Sequence, residues 1–172
     1  MSGWYTYLQG KGCNCDPDGD ICVTDGVIRM SGRGFGALVS EETFSNYRLR
    51  VEYRFLGGEQ FGWKKGWAPD SGILFHSTGR DRCETKIASN ENPIGEWNVA
   101  ELVCRGDEVT AIFNGKVVNR GFGAKPTSGR IQLQMEGCPI EFRRVTLDPL
   151  LPKFETAAGD FREGDVRGWK SV

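Results

Sequence analysis

Tyr47-Arg48-Leu49-Arg50-Val51-Glu52-Tyr53-Arg54-Phe55 alternates apolar and charged side chains without a break. A period of two over nine residues turns one side of an extended chain to a core and leaves the other wet. A helix would scatter the same apolar residues around its circumference. The stretch is therefore a β-strand with one buried face, and it sets the expectation for the rest of the chain.

Arg130 to Glu136 alternates in the same way. Ile131, Leu133 and Met135 take one side, and Arg130, Gln132, Gln134 and Glu136 take the other. Between these strands, Val109 to Phe113 runs into Asn114-Gly115 and out through Lys116-Val117-Val118. Asn-Gly readily adopts the two positive φ angles of a type I′ turn, which predicts a tight hairpin. Trp97–Arg105 joins that hairpin through Gly106-Asp107. Ile21–Thr24 and Val27–Met30 are joined by Asp25-Gly26, and Ala37–Ser40, Ser71–His76 and Cys83–Ile87 complete the middle of the chain. In the last strand, Pro139–Leu147, Ile140 and Phe142 have one parity and Val145 and Leu147 the other. One extra residue near Arg143-Arg144 would restore their common facing, so a β-bulge is expected there. About ten or eleven short strands and no helix call for a sandwich or a barrel. No internal repeat points to a propeller.

The composition agrees. A chain of 172 residues, 38% hydrophobic, suits one domain, and 24 glycines and 7 prolines suit many turns. Residues 1–148 are read as the sandwich. Residues 149–172, which carry Pro149 and Pro152 and lack periodicity, are read as a C-terminal extension. With 22 basic and 23 acidic side chains there is no basic excess to hold nucleic acid or a membrane surface. No stretch approaches the roughly 20 apolar residues needed to span a bilayer. The first residues lack the features of a signal peptide, so the protein is expected in the cytoplasm, or secreted with its leader removed.

Several motifs have plain readings that outweigh sharper ones. Gly32, Gly34 and Gly36 lack the strand–loop–helix setting of a dinucleotide site and read as a turn. Asp16-Pro17-Asp18-Gly19-Asp20 lacks the closing Glu of a calcium loop and also reads as a turn. Cys13, Cys15 and Cys22 could group around a metal, but free thiols are the favoured reading for the six cysteines.

Other residues carry a functional expectation. Phe61, Trp63 and Trp67, in a loop with Lys64 and Lys65, could stack on sugar rings or simply cover the end of the sandwich. Three polar sets could share one shallow trough: Arg50, Glu52 and Arg54; Glu84 and Lys86; and Arg130, Gln132, Gln134 and Glu136. Carboxylates, amides and guanidinium groups on an outward sheet face match sugar hydroxyls. His76, at a strand end after Asp70-Ser71-Gly72, is a further site candidate.

An ordered series of motifs resembles a known family. It runs from Gly3-Trp4-Tyr5 and Asp16-Pro17-Asp18-Gly19 through Asp25-Gly26-Val27-Ile28, Gly34-Phe35-Gly36 and the Tyr47–Tyr53 strand. It continues with Asp70-Ser71-Gly72-Ile73-Leu74-Phe75-His76, Gly95-Glu96-Trp97-Asn98 and Asn114-Gly115. Gly129-Arg130-Ile131-Gln132-Leu133-Gln134 and Ile140-Glu141-Phe142-Arg143 close it. The series resembles the 3-keto-disaccharide hydrolase domain family over about residues 3–148. The resemblance implies an all-β, concanavalin A-like jelly-roll sandwich of two antiparallel sheets. It also implies action on glycosides whose glucose unit is oxidised to a ketone at C3. The family carries a Glu followed two residues later by a Gln. Here Glu84 matches, and Lys86 stands where the Gln would be. The insertion that usually precedes Glu-Trp-Asn is reduced to Ala88–Gly95.

A C3 ketone acidifies the C2 proton, so that chemistry needs a base and a group to hold the enolate oxygen. Glu84 and Glu136 are the candidate bases, and Lys86, Arg54 and Arg143 the candidate oxyanion partners. A divalent cation could serve instead, held by Asp70, His76 and Glu84. The expected sugar-binding set is Arg54, Trp63, Trp67, Asp70, His76, Gln132, Gln134 and Arg143. The shortened segment leaves open a non-catalytic carbohydrate-binding or assembly module, with the tail docking on a neighbouring subunit.

Overall fold

The computed structural model describes residues 2–57, 69–78, 83–86 and 90–152, with residues 83–86 described by their backbone alone. The described residues contain no helix. Their strands are β1 (Trp4–Leu8), β2 (Gly12–Cys13), β3 (Ile21–Thr24), β4 (Val27–Met30), β5 (Phe35–Ser40), β6 (Tyr47–Phe55) and β7 (Gly72–Ser77), followed by β8 (Cys83–Lys86), β9 (Asn98–Arg105), β10 (Glu108–Phe113), β11 (Lys116–Gly121), β12 (Arg130–Glu136) and β13 (Ile140–Pro149). They form two antiparallel sheets, ordered β2-β1-β5-β12-β7-β8 and β11-β10-β9-β6-β13-β4-β3. The expected jelly-roll sandwich is present.

The local chemistry behaves as the turns require. Asn114 and Gly115 have φ of 47° and 77° between the paired Phe113 and Lys116, and Asp25 and Gly26 do the same between Thr24 and Val27. The expected bulge lies in β13: the register against β6 shifts between Arg143 and Thr146, and Arg144 takes φ 49°. Ile140, Phe142, Val145 and Leu147 thereby all pack on the core side. The first strand pair, β1 and β2, was not expected. Trp4-Tyr5-Thr6-Tyr7-Leu8 is largely apolar on both sides, so alternation does not flag it.

The core lies between the sheets. Tyr47, Leu49, Val51, Tyr53 and Phe55 of β6 meet Leu38 of β5, Ile73 and Phe75 of β7, and Ile131, Leu133 and Met135 of β12. Two glycines permit close crossings. An added Cβ at Gly32, whose φ is +72°, would lie 2.2 Å from the Cys138 carbonyl carbon, and one at Gly129 would lie 2.3 Å from that of His76. Gly32 and Gly34 lie between β4 and β5 as expected of a turn, whereas Gly36 lies within β5, paired with Leu8 and Met135, so the glycines form no phosphate cradle. β13 ends one residue past the expected domain boundary, and the tail from residue 153 lies outside the described residues.

Candidate functional site

The outer face of the six-stranded sheet, called the front face below, is built in rows, because directly opposed residues of antiparallel strands point the same way. One row runs Tyr5–Val39–Gln132–Leu74–Glu84 across β1, β5, β12, β7 and β8. The next runs Cys13–Tyr7–Ala37–Gln134, and on its far side Gly72 opposes Lys86. Phe35 opposes Glu136 beyond it, and Arg130 opposes Ser77 at the other end. Glu84 and Lys86 therefore occupy register positions in the rows of Gln132 and Gln134, about 10 Å away across two strand spacings. Their side chains, like Trp63 and Trp67 entirely, lie outside the described residues.

Polar atoms converge on this face. Gln132 Nε2 donates to Ser77 Oγ at 2.7 Å, which fixes one amide. Arg130 Nε and Gln134 Oε1 are buried and have no hydrogen-bond partner among the described residues. An unmatched buried polar atom costs about 1–3 kcal/mol, so a donor and an acceptor left in this state are apt to meet a ligand. Asp70 joins the same region at the Glu136 end. Its carbonyl accepts from Cys138 Sγ at 2.9 Å, while burial, with smaller contributions from the Asp70 and Glu136 charges, pushes the Cys138 thiol up to about 11.

His76 is a correction. Between Gln132 and Arg130 the register of β7 shifts, and His76, with φ 51°, is the extra residue. The bulge reverses its parity, so the ring points into the sandwich. It stands edge-on to Tyr47 and Phe75 at centroid distances of 5.7 and 5.4 Å and is 0% exposed. Burial lowers its pKa, against hydrogen bonds to the Pro126 and Ser45 backbone, and Nδ1 lies 3.1 Å from the Pro126 oxygen. A neutral histidine in the core cannot touch a sugar on the front face. Nor can it join Asp70 and Glu84 around a cation, and no metal-ligating group of three exists among the described residues.

Arg54 and Arg143 are the second correction. The polar sets do not share one surface, because β6 and β13 belong to the other sheet. On its outer face Glu52 accepts from Arg50, Arg143 and Arg144, Glu141 pairs with Arg29 and Arg54, and Glu101 pairs with Arg48. Arg54 and Arg143 also lie over Trp97, at 4.6 and 3.8 Å from the ring centroid. These guanidinium groups are committed to a ladder on the back of the molecule.

Glu52 makes that ladder sensitive to acid. Its burial would raise its pKa, but the hydrogen bonds from Arg143, Arg144 and Arg50 outweigh this and hold it below the ordinary 4.5. A depressed carboxylate pKa gives stability that is complete above the unfolded value and lost as pH falls through the folded one. The melting temperature is therefore expected to drop below pH 4.5. The drop should be shallower in Glu52→Gln. An identical acid profile in both proteins would remove Glu52 from the account.

The acidic turn is closed on itself. Asp16 accepts from the backbone N–H of Asp20 and Ile21 at 2.7 and 2.8 Å, and Asp20 accepts from Ser31 and Arg33. Lys11 pairs with both Asp18 and Asp20. The turn reading holds. Cys13, Cys15, Cys22, Cys104 and Cys138 are free thiols.

With this geometry in view, comparison with known proteins decides the family. The model of the 3-keto-alpha-glucoside-1,2-lyase-like domain matches residues 1–88 and 80–148. The chain belongs to this family. No curated protein matches it. A Parabacteroides distasonis protein described as a glycosyl hydrolase superposes with a TM-score of 0.61 at 19% identity, covering 86% of this chain and 99% of its own. The carbohydrate-binding module CBM66 from Bacillus subtilis gives 0.63 at 12% identity, with 86% and 96% covered. A prokaryotic β-1,3-1,4-glucanase from a mouse hindgut metagenome gives 0.58 at 13%, with 87% and 95% covered. The 3-keto-alpha-glucoside-1,2-lyase-like chain thus has a jelly roll of the kind found in both glycosyl hydrolases and carbohydrate-binding modules.

The sequence reading missed the aromatic side of the front face. Tyr5, Tyr7 and Phe35 stand on it, Tyr7 being 47% and Phe35 55% exposed. The signal was the two-residue spacing of Tyr5 and Tyr7, hidden because Trp4 and Leu8 on either side of the pair are large and apolar as well.

Proposed function

We propose that the front face binds a 3-keto-glycoside and that the chain cleaves it by elimination across C1 and C2. The observation that carries the reading is the meeting of the Glu84 and Lys86 register positions with Gln132, Gln134, Glu136 and Arg130 on one sheet face of a chain in this family. Glu84 takes the C2 proton. The electron pair moves into the C2–C3 bond and charges the C3 oxygen, which Lys86 or Arg130 holds. The pair then returns to form the C1–C2 double bond, and the C1–O bond breaks with its electrons on the leaving oxygen, which takes a proton. Water can add across the new double bond to give 3-keto-glucose. Glu136, Asp70 and the two glutamines bind the hydroxyl groups.

Incubation with a 3-keto-disaccharide should release the sugar leaving group together with 3-keto-glucose or its dehydrated form. No release under any condition, including with added divalent cations, would sink this reading.

The second reading is a carbohydrate-binding module without chemistry. It is favoured by Lys86 in the family's Gln position, by the short segment from Ala88 to Gly95 and by the likeness to CBM66. Glycan binding without turnover would support it.

A further inference from the structure

We propose that Tyr7 and Phe35 form a second sugar subsite, which holds the leaving-group ring of a disaccharide-like substrate. The inference rests on the choice of the front face made above, though not on the elimination chemistry.

Both rings stand on the β1–β5 side of that face, on the opposite flank of β12 from Glu84 and Lys86. Tyr7 shares a row with Ala37 and Gln134, and Phe35 is directly opposed to Glu136. Ala37 is small and buried, so the Tyr7 strand and the Gln134 strand stand two spacings, about 10 Å, apart without a large side chain between them. One flank of this span offers aromatic rings that are half exposed. The other offers the Gln134 Oε1 acceptor, buried and without a partner among the described residues, and beside it the Glu136 carboxylate.

That division is what a pyranose ring needs. Its axial C–H face lies on a π cloud while its hydroxyl rim donates to an amide and a carboxylate. A flat aromatic ligand would leave the Gln134 acceptor unmet, and an apolar segment would bury it at further cost. If the oxidised ring sits over β12 and β8, the next ring along the substrate falls over β5 and β1. The site should therefore favour glycosides whose leaving group is itself a sugar over those with a small alkyl aglycone.

The test is calorimetric titration of the full chain with maltose, cellobiose, trehalose and glucose, repeated with Tyr7→Ala, Phe35→Ala and Tyr7→Phe. At least one disaccharide should bind more tightly than glucose. Each Ala variant should weaken that binding by about two- to tenfold, while Tyr7→Phe retains most of it. Melting temperatures should stay near that of the parent, because both rings are exposed. Equal binding by parent and Ala variants, or no disaccharide binding by the parent, overturns the subsite. Turnover separates the two proposals. Cleavage of a 3-keto-disaccharide with an unchanged KM in both Ala variants leaves the lyase reading standing and removes the subsite. Absence of cleavage with ring-dependent disaccharide binding does the reverse.

Discussion

Glu84→Gln is expected to lower turnover of a 3-keto-disaccharide by about 10²–10⁴-fold, the range that a positioned base contributes to proton transfer. Gln keeps the size and the hydrogen-bonding reach of Glu but cannot accept the C2 proton. Binding should therefore persist while kcat falls, and the acid limb of the kcat/KM profile should vanish with the carboxylate. Glu136→Gln separates the roles. In the proposed arrangement Glu136 binds hydroxyl groups from β12, two strands away from Glu84. Its loss should raise KM and leave the acid limb in place. If the limb disappears in Glu136→Gln and survives in Glu84→Gln, the base is Glu136. If both variants turn over at the parental rate, the chemistry lies off this face altogether.

Leu133→Ala should cost roughly 2–5 kcal/mol in unfolding free energy, read from denaturant midpoints. Leu133 is 0% exposed and opposes Leu38 on one side and Ile73 on the other, at the centre of its sheet. Truncation removes buried methyl groups and leaves a cavity that strands held on both sides cannot close. Gln132→Leu, one residue away on the front face, opens no cavity and should cost less, about 1–2 kcal/mol, for the lost bond and the buried Ser77 hydroxyl it leaves unmatched. The contrast tests the register directly, because a slip of one residue exchanges the two faces. Equal losses in both variants would contradict the alternation of β12.

The strands were legible wherever one face is wet and the other dry. Tyr47–Phe55 and Arg130–Glu136 form with the bounds that alternation predicts, Ile21–Thr24 and Val27–Met30 with those set by the Asp25-Gly26 turn, and the bulge after Arg143 follows from the parity change alone. Alternation says which residues share a side of a strand. It does not say which of two outer faces that side becomes. Arg54 and Gln132 look equivalent in sequence, yet they stand on opposite surfaces, because β6 and β12 enter different sheets through pairings between distant parts of the chain. His76 failed for a local reason: its bulge has no Gly or Pro to announce it, and one inserted residue turned an apparent surface histidine into a core one. Tyr5 and Tyr7 were hidden because a strand that uses aromatic residues on both faces loses its period.

The order of the strands also governs when the protein can form. β12 sits between β5 and β7, and β13 between β6 and β4. Each sheet is therefore bridged through its middle by one of the last two strands described. Glu141 must find Arg54, 87 residues earlier in the chain, before the β6–β13 ladder exists. Until residues 130–149 have left the ribosome, the earlier strands can form hairpins but neither complete sheet. Such non-local pairing places folding in the slow, millisecond-to-second class of β-proteins. During that wait β5 and β6 present open edges to any neighbouring chain. Synthesis of this molecule is thus a race between its own last strands and other partners for the same hydrogen bonds.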